Sequence, residues 1–313
     1  MTVCIFRGNT GSRHDMGPDH PESPDRLHAI DDQLLASGLD MVCEHAEAAT
    51  ASQQQLNLAH DKAYIERIFA RAPEEGTVWL DGDTAMNSHT LTAALQAAGA
   101  GCDAVDWVLQ SNDRQAFCAV RPPGHHAEHN AAMGFCFFNN IAVAAHHAMN
   151  AHGLSRIAIV DFDVHHGNGT EDIVAGDERI LFCSAFQHPF YPHKGVPASA
   201  DNIIATPLAA GTNGATFREA VAPWFDAVAA FKPELILVSA GFDGHAEDPM
   251  AYWRLREDDY KWISARIREL ANRCCHGRIV SMLEGGYDLS ALGRSVVAHI
   301  KGMSGDCAEN GGA

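Results

Sequence analysis

"RPPGHHAEH" (121–129) places two adjacent histidines, His125 and His126, straight after a Pro-Pro-Gly turn. Neighbours on a strand point to opposite faces, and neighbours on a helix diverge by about 100°. Two histidines that act together therefore need a held, irregular turn. A second polar stretch, "DFDVHHGNG" (161–169), offers Asp161, Asp163, His165 and His166. Asp163 and His165 are two apart, so on extended backbone they share a side and can grip one ion. "GFDGH" (241–245) adds Asp243. Asp, His and Asp are three N/O ligands that leave one position open, the layout of a catalytic metal site rather than a closed structural one. The donor set suits Zn2+ first, with Fe2+ or Co2+ as alternatives. His245 competes for ligand status and is expected to lie outside the set. "EGGYD" (284–288) adds Tyr287 behind Gly285 and Gly286, whose freedom lets the backbone take unusual angles.

These clusters need elements to carry them. Short apolar runs, rich in β-branched residues, predict buried parallel strands at 2–6, 116–120, 156–160, 179–184, 235–240 and 278–283. Between them, helical patterns run over 88–109 (with a Ser88 cap and a bend at Gly99 or Gly101), 139–153 and 256–273. Alternating strands and helices predict an α/β fold, a parallel sheet covered on both faces. Four of the strands lead directly into the four loaded loops, and ligands bind at the carboxyl ends of strands in such sheets. No linker or repeat divides the chain, so 1–313 is expected to be one domain, with 304–313 a flexible tail.

With these loops in hand, the sequence resembles the histone deacetylase family of the arginase–deacetylase superfamily. The matching pieces are "HDMGPDHPESPDRL" (14–27), "RPPGHHAEHNAAMGFCFFNN" (121–140), "DFDVHHGNGTEDI" (161–173), "SAGFDGHAEDP" (239–249) and "EGGYD" (284–288). "HPESP" and the Asn of "HHGNG" are similar to the class II and bacterial amidohydrolase branch, where class I members carry Asp. The resemblance implies a three-layer α/β/α fold with a mostly parallel sheet. It also implies Asp163, His165 and Asp243 as zinc ligands, His125 and His126 as the tandem active-site pair, and Tyr287 as a ligand of the substrate carbonyl. Asp161 would orient His125, and Asn168 would partner His126. Phe135, Gly134, Gly285 and Tyr191 (or Phe190) would shape an acyl-lysine tunnel, and Arg26 would lie deep in the pocket. A structural potassium ion is implied beside Asp161, Asp163, His165, Ser184 and Ala185. One departure is Phe186, where the family has histidine. It is expected to touch the substrate rim.

The chemistry follows from the residue types. Amide hydrolysis needs an activated water, a stabilised oxyanion and a proton for the leaving amine. A metal supplies Lewis acidity. His126, beside the neutral Asn168, is the proton carrier. His125, paired with Asp161, favours the imidazolium form. Tyr287 donates to the developing oxyanion. The histidines at 146, 147 and 152 are expected to be surface or packing residues, and His14, Asp19 and His20 to order the first loop beside the pocket.

Composition bounds the partners. The formal net charge is −18, which disfavours nucleic acid. No apolar stretch approaches a membrane span. Nine cysteines without a CxxC argue for reduced thiols in a cytoplasm. The leading expectation is a zinc-dependent deacylase acting on Nε-acetyl-lysine in proteins or peptides. The alternative is an acetylpolyamine deacetylase, since the acidic chain suits a small cationic acetylated amine; no long insertion narrows the entrance for one. Arginase-like chemistry would use two Mn2+ ions and more carboxylates than "DFDVHHGNG" offers. A catalytically dead acyl-lysine reader would lack a ligand, a histidine or Tyr287, and all are present.

Overall fold

The computed structural model describes residues 2–305. Ten strands are β1 (Thr2–Arg7), β2 (Glu44–Glu47), β3 (Val78–Trp79), β4 (Ala85–Met86), β5 (Arg114–Ala119), β6 (Ile157–Asp161), β7 (Ile180–Gln187), β8 (Ile203–Leu208), β9 (Leu235–Ala240) and β10 (Ile279–Leu283). The helices are α1 (Asp25–Ala36), α2 (Gln53–Leu56), α3 (Lys62–Arg71), α4 (Thr90–Leu109), α5 (Asn140–His152), α6 (Asn168–Val174), α7 (Gly214–Phe231), α8 (Glu257–Cys274) and α9 (Leu289–Ser304). The tail expected over 304–313 lies outside the described residues from 306 onward, and Ser304 itself closes α9.

Eight strands form one sheet in the order β2-β1-β5-β10-β9-β6-β7-β8. Every pairing within it is parallel. The apolar runs are continuous because both faces are covered. Successive side chains alternate between faces, so Val3, Ile5, Phe117, Ala158 and Val160 join one core with α1, α7, α8 and α9. Cys4, Phe6, Ala116, Cys118, Ile157 and Ile159 join the other, with α4 and α5. The result is the expected three-layer α/β/α arrangement. The four strands that feed the loaded loops, β5, β10, β9 and β6, lie side by side at its centre.

Local details differ from expectation. Helix α4 begins at Thr90, and Ser88 does not cap it. Its N-cap position is His89, which makes no side-chain cap bond; Asn87 instead orders the turn before the helix, accepting from the His89 N–H and the Thr90 hydroxyl, both at 3.0 Å. The helix runs unbroken through Gly99 and Gly101. These positions serve close approach instead: a Cβ on Gly99 would stand 2.1 Å from the Ala49 carbonyl oxygen. Helix α5 ends as expected, with Gly153 left-handed at φ 70°. No helix among the described residues is long and apolar enough to cross a membrane.

Candidate active site

The turn after β5 is held from two sides. Glu284, at the end of β10, accepts the backbone N–H groups of Gly124 (2.7 Å) and His125 (3.1 Å) through one carboxylate oxygen. The His125 carbonyl in turn accepts from Gly169 and Thr170 in the first turn of α6, at 3.0 and 3.1 Å. Both histidine rings then face the end of β6. His125 Nδ1 donates to Asp161 Oδ2 at 2.9 Å, and His126 Nδ1 meets Asn168 Oδ1 at 2.8 Å.

Electrostatics separates the two rings. Burial opposes charge on His125, but the carboxylates of Asp163 and Asp161 outweigh it and raise the ring to about 10. Burial pushes His126 well below the ordinary histidine range, and the neighbouring His125 pushes the same way. The surroundings favour charge on the first ring and oppose it on the second.

Asp163, His165 and Asp243 converge beside them, with ligating atoms all within 4.8 Å of one another. His165 Nδ1 stands 3.2 Å from Asp163 Oδ1 and 3.1 Å from Asp243 Oδ2. The outer carboxylate oxygens are taken by backbone: Gly285 N–H donates to Asp163 Oδ2 (2.8 Å) and Val164 N–H to Asp243 Oδ1 (3.0 Å). Burial and the charge of Asp163 push the Asp243 carboxyl up to about 7. Two buried carboxylates facing one imidazole nitrogen call for a cation between them, so the donor set fits a divalent metal. His245 is buried elsewhere, its Nε2 3.5 Å from Glu257, and it takes no part.

A cavity of about 200 Å³ opens onto this cluster. His126, His165 and Tyr287 form its inner end, Phe135, Phe190 and Tyr191 its walls, and Asp83 and Met250 also line it. Both candidates for the second aromatic wall are present: Phe190 stacks on His165 at 5.5 Å, and Tyr191 meets His126 edge-on at 5.2 Å. Gly134 lines the wall because a Cβ there would stand 2.5 Å from His126. Phe135 follows it at φ 69°, a left-handed conformation that costs a non-glycine residue about 1 kcal/mol or more. The hydrogen bond from its N–H to Thr84 Oγ1 (3.1 Å) and the Met133–Cys136 bridge hold it there.

Three expected pocket residues sit elsewhere. Gly285 lies behind the metal-ligand cluster rather than along the cavity; a Cβ there would stand 2.1 Å from Asp243 Oδ2. Arg26 does not line the cavity either. Its guanidinium donates to the Gly286 carbonyl (2.7 Å) and Glu22 (2.9 Å), and lies 5.0 Å over the Tyr287 ring. Phe186 is not at the rim: it is buried at the end of β7, packed on His166 at 4.3 Å. In the region expected to hold potassium, β6 and β7 pair Asp161 with Ser184, whose hydroxyl lies 3.0 Å from His166 Nδ1. Ala185 is buried beside it.

Sequence reasoning missed the residues that hold this site from behind. Glu22, in "HPESP", is fully buried between Arg26 and Arg121, and Arg121 also donates to the Gly11 and His14 carbonyls. Burial opposes the Glu22 charge, but Arg121 and its neighbours hold the carboxyl well below its usual range. Removing one partner of a buried ion network leaves uncompensated charge, so Glu22→Ala is expected to cost about 3–5 kcal/mol in denaturant unfolding. A loss under about 1 kcal/mol would mean that water satisfies both arginines. His20 packs edge-on against Phe135 at 4.7 Å, and His14 is buried against Thr90 and Glu22, so both order the first loop as expected.

A second cluster, Asp106, His147 and His152, also brings metal-ligating atoms together on α4 and α5. Both imidazole Nε2 atoms lie against one Asp106 oxygen, at 2.7 and 2.6 Å, so its hydrogen bonding is complete without an ion.

Known proteins share this sequence and fold. The histone deacetylase domain profile matches residues 20–303. An uncharacterised protein of Synechocystis is 40% identical over 310 residues, covering 96% of this chain and 98% of its own. The histone deacetylase-like amidohydrolase of Pseudomonas aeruginosa is 34% identical, over 91% of this chain and 77% of its own. The crystal structure of the HDA15 HD domain superposes with a TM-score of 0.90 at 30% identity, covering 98% of this chain and 91% of that one. Fold and sequence agree: the chain belongs to the histone deacetylase family and is a metal-dependent amidohydrolase of the deacetylase type.

Proposed function

We propose that the enzyme is a zinc-dependent deacylase that hydrolyses the acetamide of Nε-acetyl-lysine in proteins or peptides to lysine and acetate. The observation that carries this is the cavity. Its walls are aromatic and its inner end is polar, which matches a four-carbon stem ending in an amide. Zinc is favoured by the Asp-His-Asp donor set, and when bound it supplies Lewis acidity to the amide carbonyl and the attacking water.

The chain's own residues do the rest. Phe135 and Tyr191 hold the stem and exclude bulk water. His126 Nε2 takes the proton of the attacking water and hands it to the leaving amine. His125 remains cationic between Asp161 and Asp163 and stabilises negative charge nearby. Tyr287 donates to the substrate oxygen. The eight described cysteines are unpaired, which supports a reducing compartment such as the cytoplasm.

An acetylpolyamine ranks second. The net charge of −18 would draw it in. However, Asp83 is the one carboxylate among the described residues lining the cavity, and Met250 is apolar, so little there grips a further ammonium group. The deciding test is a screen of acetyl-lysine peptides, longer acyl-lysines and acetylpolyamines, with metal content measured on the same sample. Acetyl-lysine peptides are expected to give the highest kcat/KM. A higher value for an acetylpolyamine would reverse the assignment.

The two histidines are expected to separate in kinetics. His126→Ala removes the proton carrier and should cost at least about tenfold more turnover than His125→Ala. Equal losses with identical pH profiles would show that the division of labour is wrong.

A further inference from the structure

A base accepts a proton only at a nitrogen that carries none. A neutral imidazole has one N–H and one lone pair, so whatever faces Nδ1 of His126 decides what Nε2 can do. Nδ1 faces the side-chain amide of Asn168 at 2.8 Å. Turned one way, the amide presents its oxygen, Nδ1 carries the proton and Nε2 is a free acceptor. Turned the other way, it presents NH2, Nδ1 must be the acceptor and Nε2 carries the proton. The second state cannot act as a base. The two orientations have nearly the same shape, so packing does not choose between them.

Glu128 makes the choice. Its Oε1 lies 2.8 Å from Asn168 Nδ2. An ionised carboxylate accepts and never donates, so only the NH2 end of the amide can face it. The thioether of Met133, 3.3 Å from the same nitrogen, is also an acceptor. The Lys194 ammonium pairs with the same Glu128 oxygen. Glu128 and Asn168 share the wall of a second cavity of about 180 Å³, whose lining does not include His126. Glu128 has no contact with the reacting atoms, yet it stands two residues from His126 on the same turn.

We propose that Glu128 is a positioning residue: it fixes the Asn168 amide with its oxygen toward His126, and so holds His126 in the Nδ1–H form with Nε2 free to take the proton. This rests on the assignment of His126 as base. It also explains why an amide at 168 needs a partner at all. An aspartate there would present only acceptors and would need no orienting group.

The experiment uses the full chain and a two-by-two set of variants. Glu128→Met keeps the length of the side chain and replaces the charged acceptor with a weak, uncharged thioether; Glu128→Gln keeps an acceptor oxygen. Each is made with Asn168 and with Asn168→Asp. Turnover is measured on an acetyl-lysine peptide, and the His126 tautomer is read by long-range ¹⁵N–¹H correlations. With Asn168, Glu128→Met should lower kcat about tenfold or more, with KM within about twofold, because a hydrogen bond to a charged group is lost. Its His126 ring should show a mixed tautomer, and Glu128→Gln should keep most of the turnover. With Asn168→Asp, Glu128→Met should cost nothing or raise kcat, since two like charges are separated. Equal losses in both backgrounds would overturn the proposal, as would a wild-type tautomer in Glu128→Met or a Glu128→Gln loss as large as that of Glu128→Met. If His126→Ala keeps its turnover, the assignment of the base fails, while the tautomer measurement still judges Glu128.

Discussion

Asp243→Ala is expected to abolish stoichiometric metal binding and to lower kcat/KM by about a thousandfold or more, the equivalent of several kcal/mol of lost Lewis acidity. The residue is fully buried, and it reaches the shared centre from β9 while Asp163 and His165 arrive from β6. Without it, two ligands on one loop remain. The alanine also strands the Val164 N–H that Asp243 Oδ1 accepts at 3.0 Å, so some stability should fall with it. Asp243→Asn separates the two effects. It keeps an oxygen for Val164 and removes only the charge. Folding buries Asp243 beside Asp163 and pushes its carboxyl up to about 7. A raised carboxyl pKa means that ionisation costs stability at neutral pH, and the cost shrinks as pH falls toward the unfolded value. Metal-free Asp243→Asn should therefore be at least as stable as metal-free wild type near pH 7. Wild type alone should gain melting temperature on adding zinc, because the ion binds only the folded chain. Elemental analysis, melting curves with and without chelator, and steady-state kinetics check all three points. An Asp243→Ala enzyme with one metal per chain and full turnover would remove Asp243 from the ligand set.

Much of this site was legible because its chemistry is local. Asp163 and His165 share a loop, His125 and His126 a turn, and each loop follows an apolar run whose length and composition mark a buried strand. What escaped is non-local. Glu22 meets Arg121 across 99 residues and Glu284 meets Gly124 across 160, and no spacing in the chain encodes either contact. The edge strands escaped for a different reason. β2 reads "EHAE" and is mostly exposed, and β8 carries Pro207, so neither has the apolar run of a central strand. Phe186 was misplaced because a substitution noticed in a motif says nothing about depth; the alternation along β7 sends its ring inward onto His166. Arg26 lies behind Tyr287 rather than along the cavity because the Gly286 and Glu284 carbonyls, about 260 residues away, draw its guanidinium there, and no spacing encodes those contacts. Phe135 lines the cavity, but its left-handed backbone escaped, because it depends on the Thr84 hydroxyl 51 residues away.

Tyr287→Phe is expected to lower kcat by about 10²–10³, roughly 3–4 kcal/mol, with a smaller change in KM. The ring lies at the inner end of the cavity, against Phe135 at 6.0 Å and under the Arg26 guanidinium at 5.0 Å. Its backbone is fixed independently of its hydroxyl. Asp248 accepts the N–H groups of Tyr287 (2.6 Å) and Asp288 (3.0 Å), and Arg26 holds the Gly286 carbonyl. The phenylalanine ring should therefore occupy the same place, and the fold and metal site should survive. The hydroxyl has no hydrogen-bond partner among the described residues. Burial, with Asp243 nearby, holds its pKa well above the ordinary tyrosine value, so it stays protonated and can only gain by donating to a substrate oxygen. That bond strengthens as negative charge develops, which is why the loss should fall on turnover rather than on binding. Steady-state kinetics on an acetyl-lysine peptide, with zinc content and melting temperature as controls, decides the matter. A folded, metal-loaded Tyr287→Phe enzyme that turns over at the wild-type rate would leave the oxyanion to the metal and the histidines, and would make the tyrosine ring a wall of the cavity only.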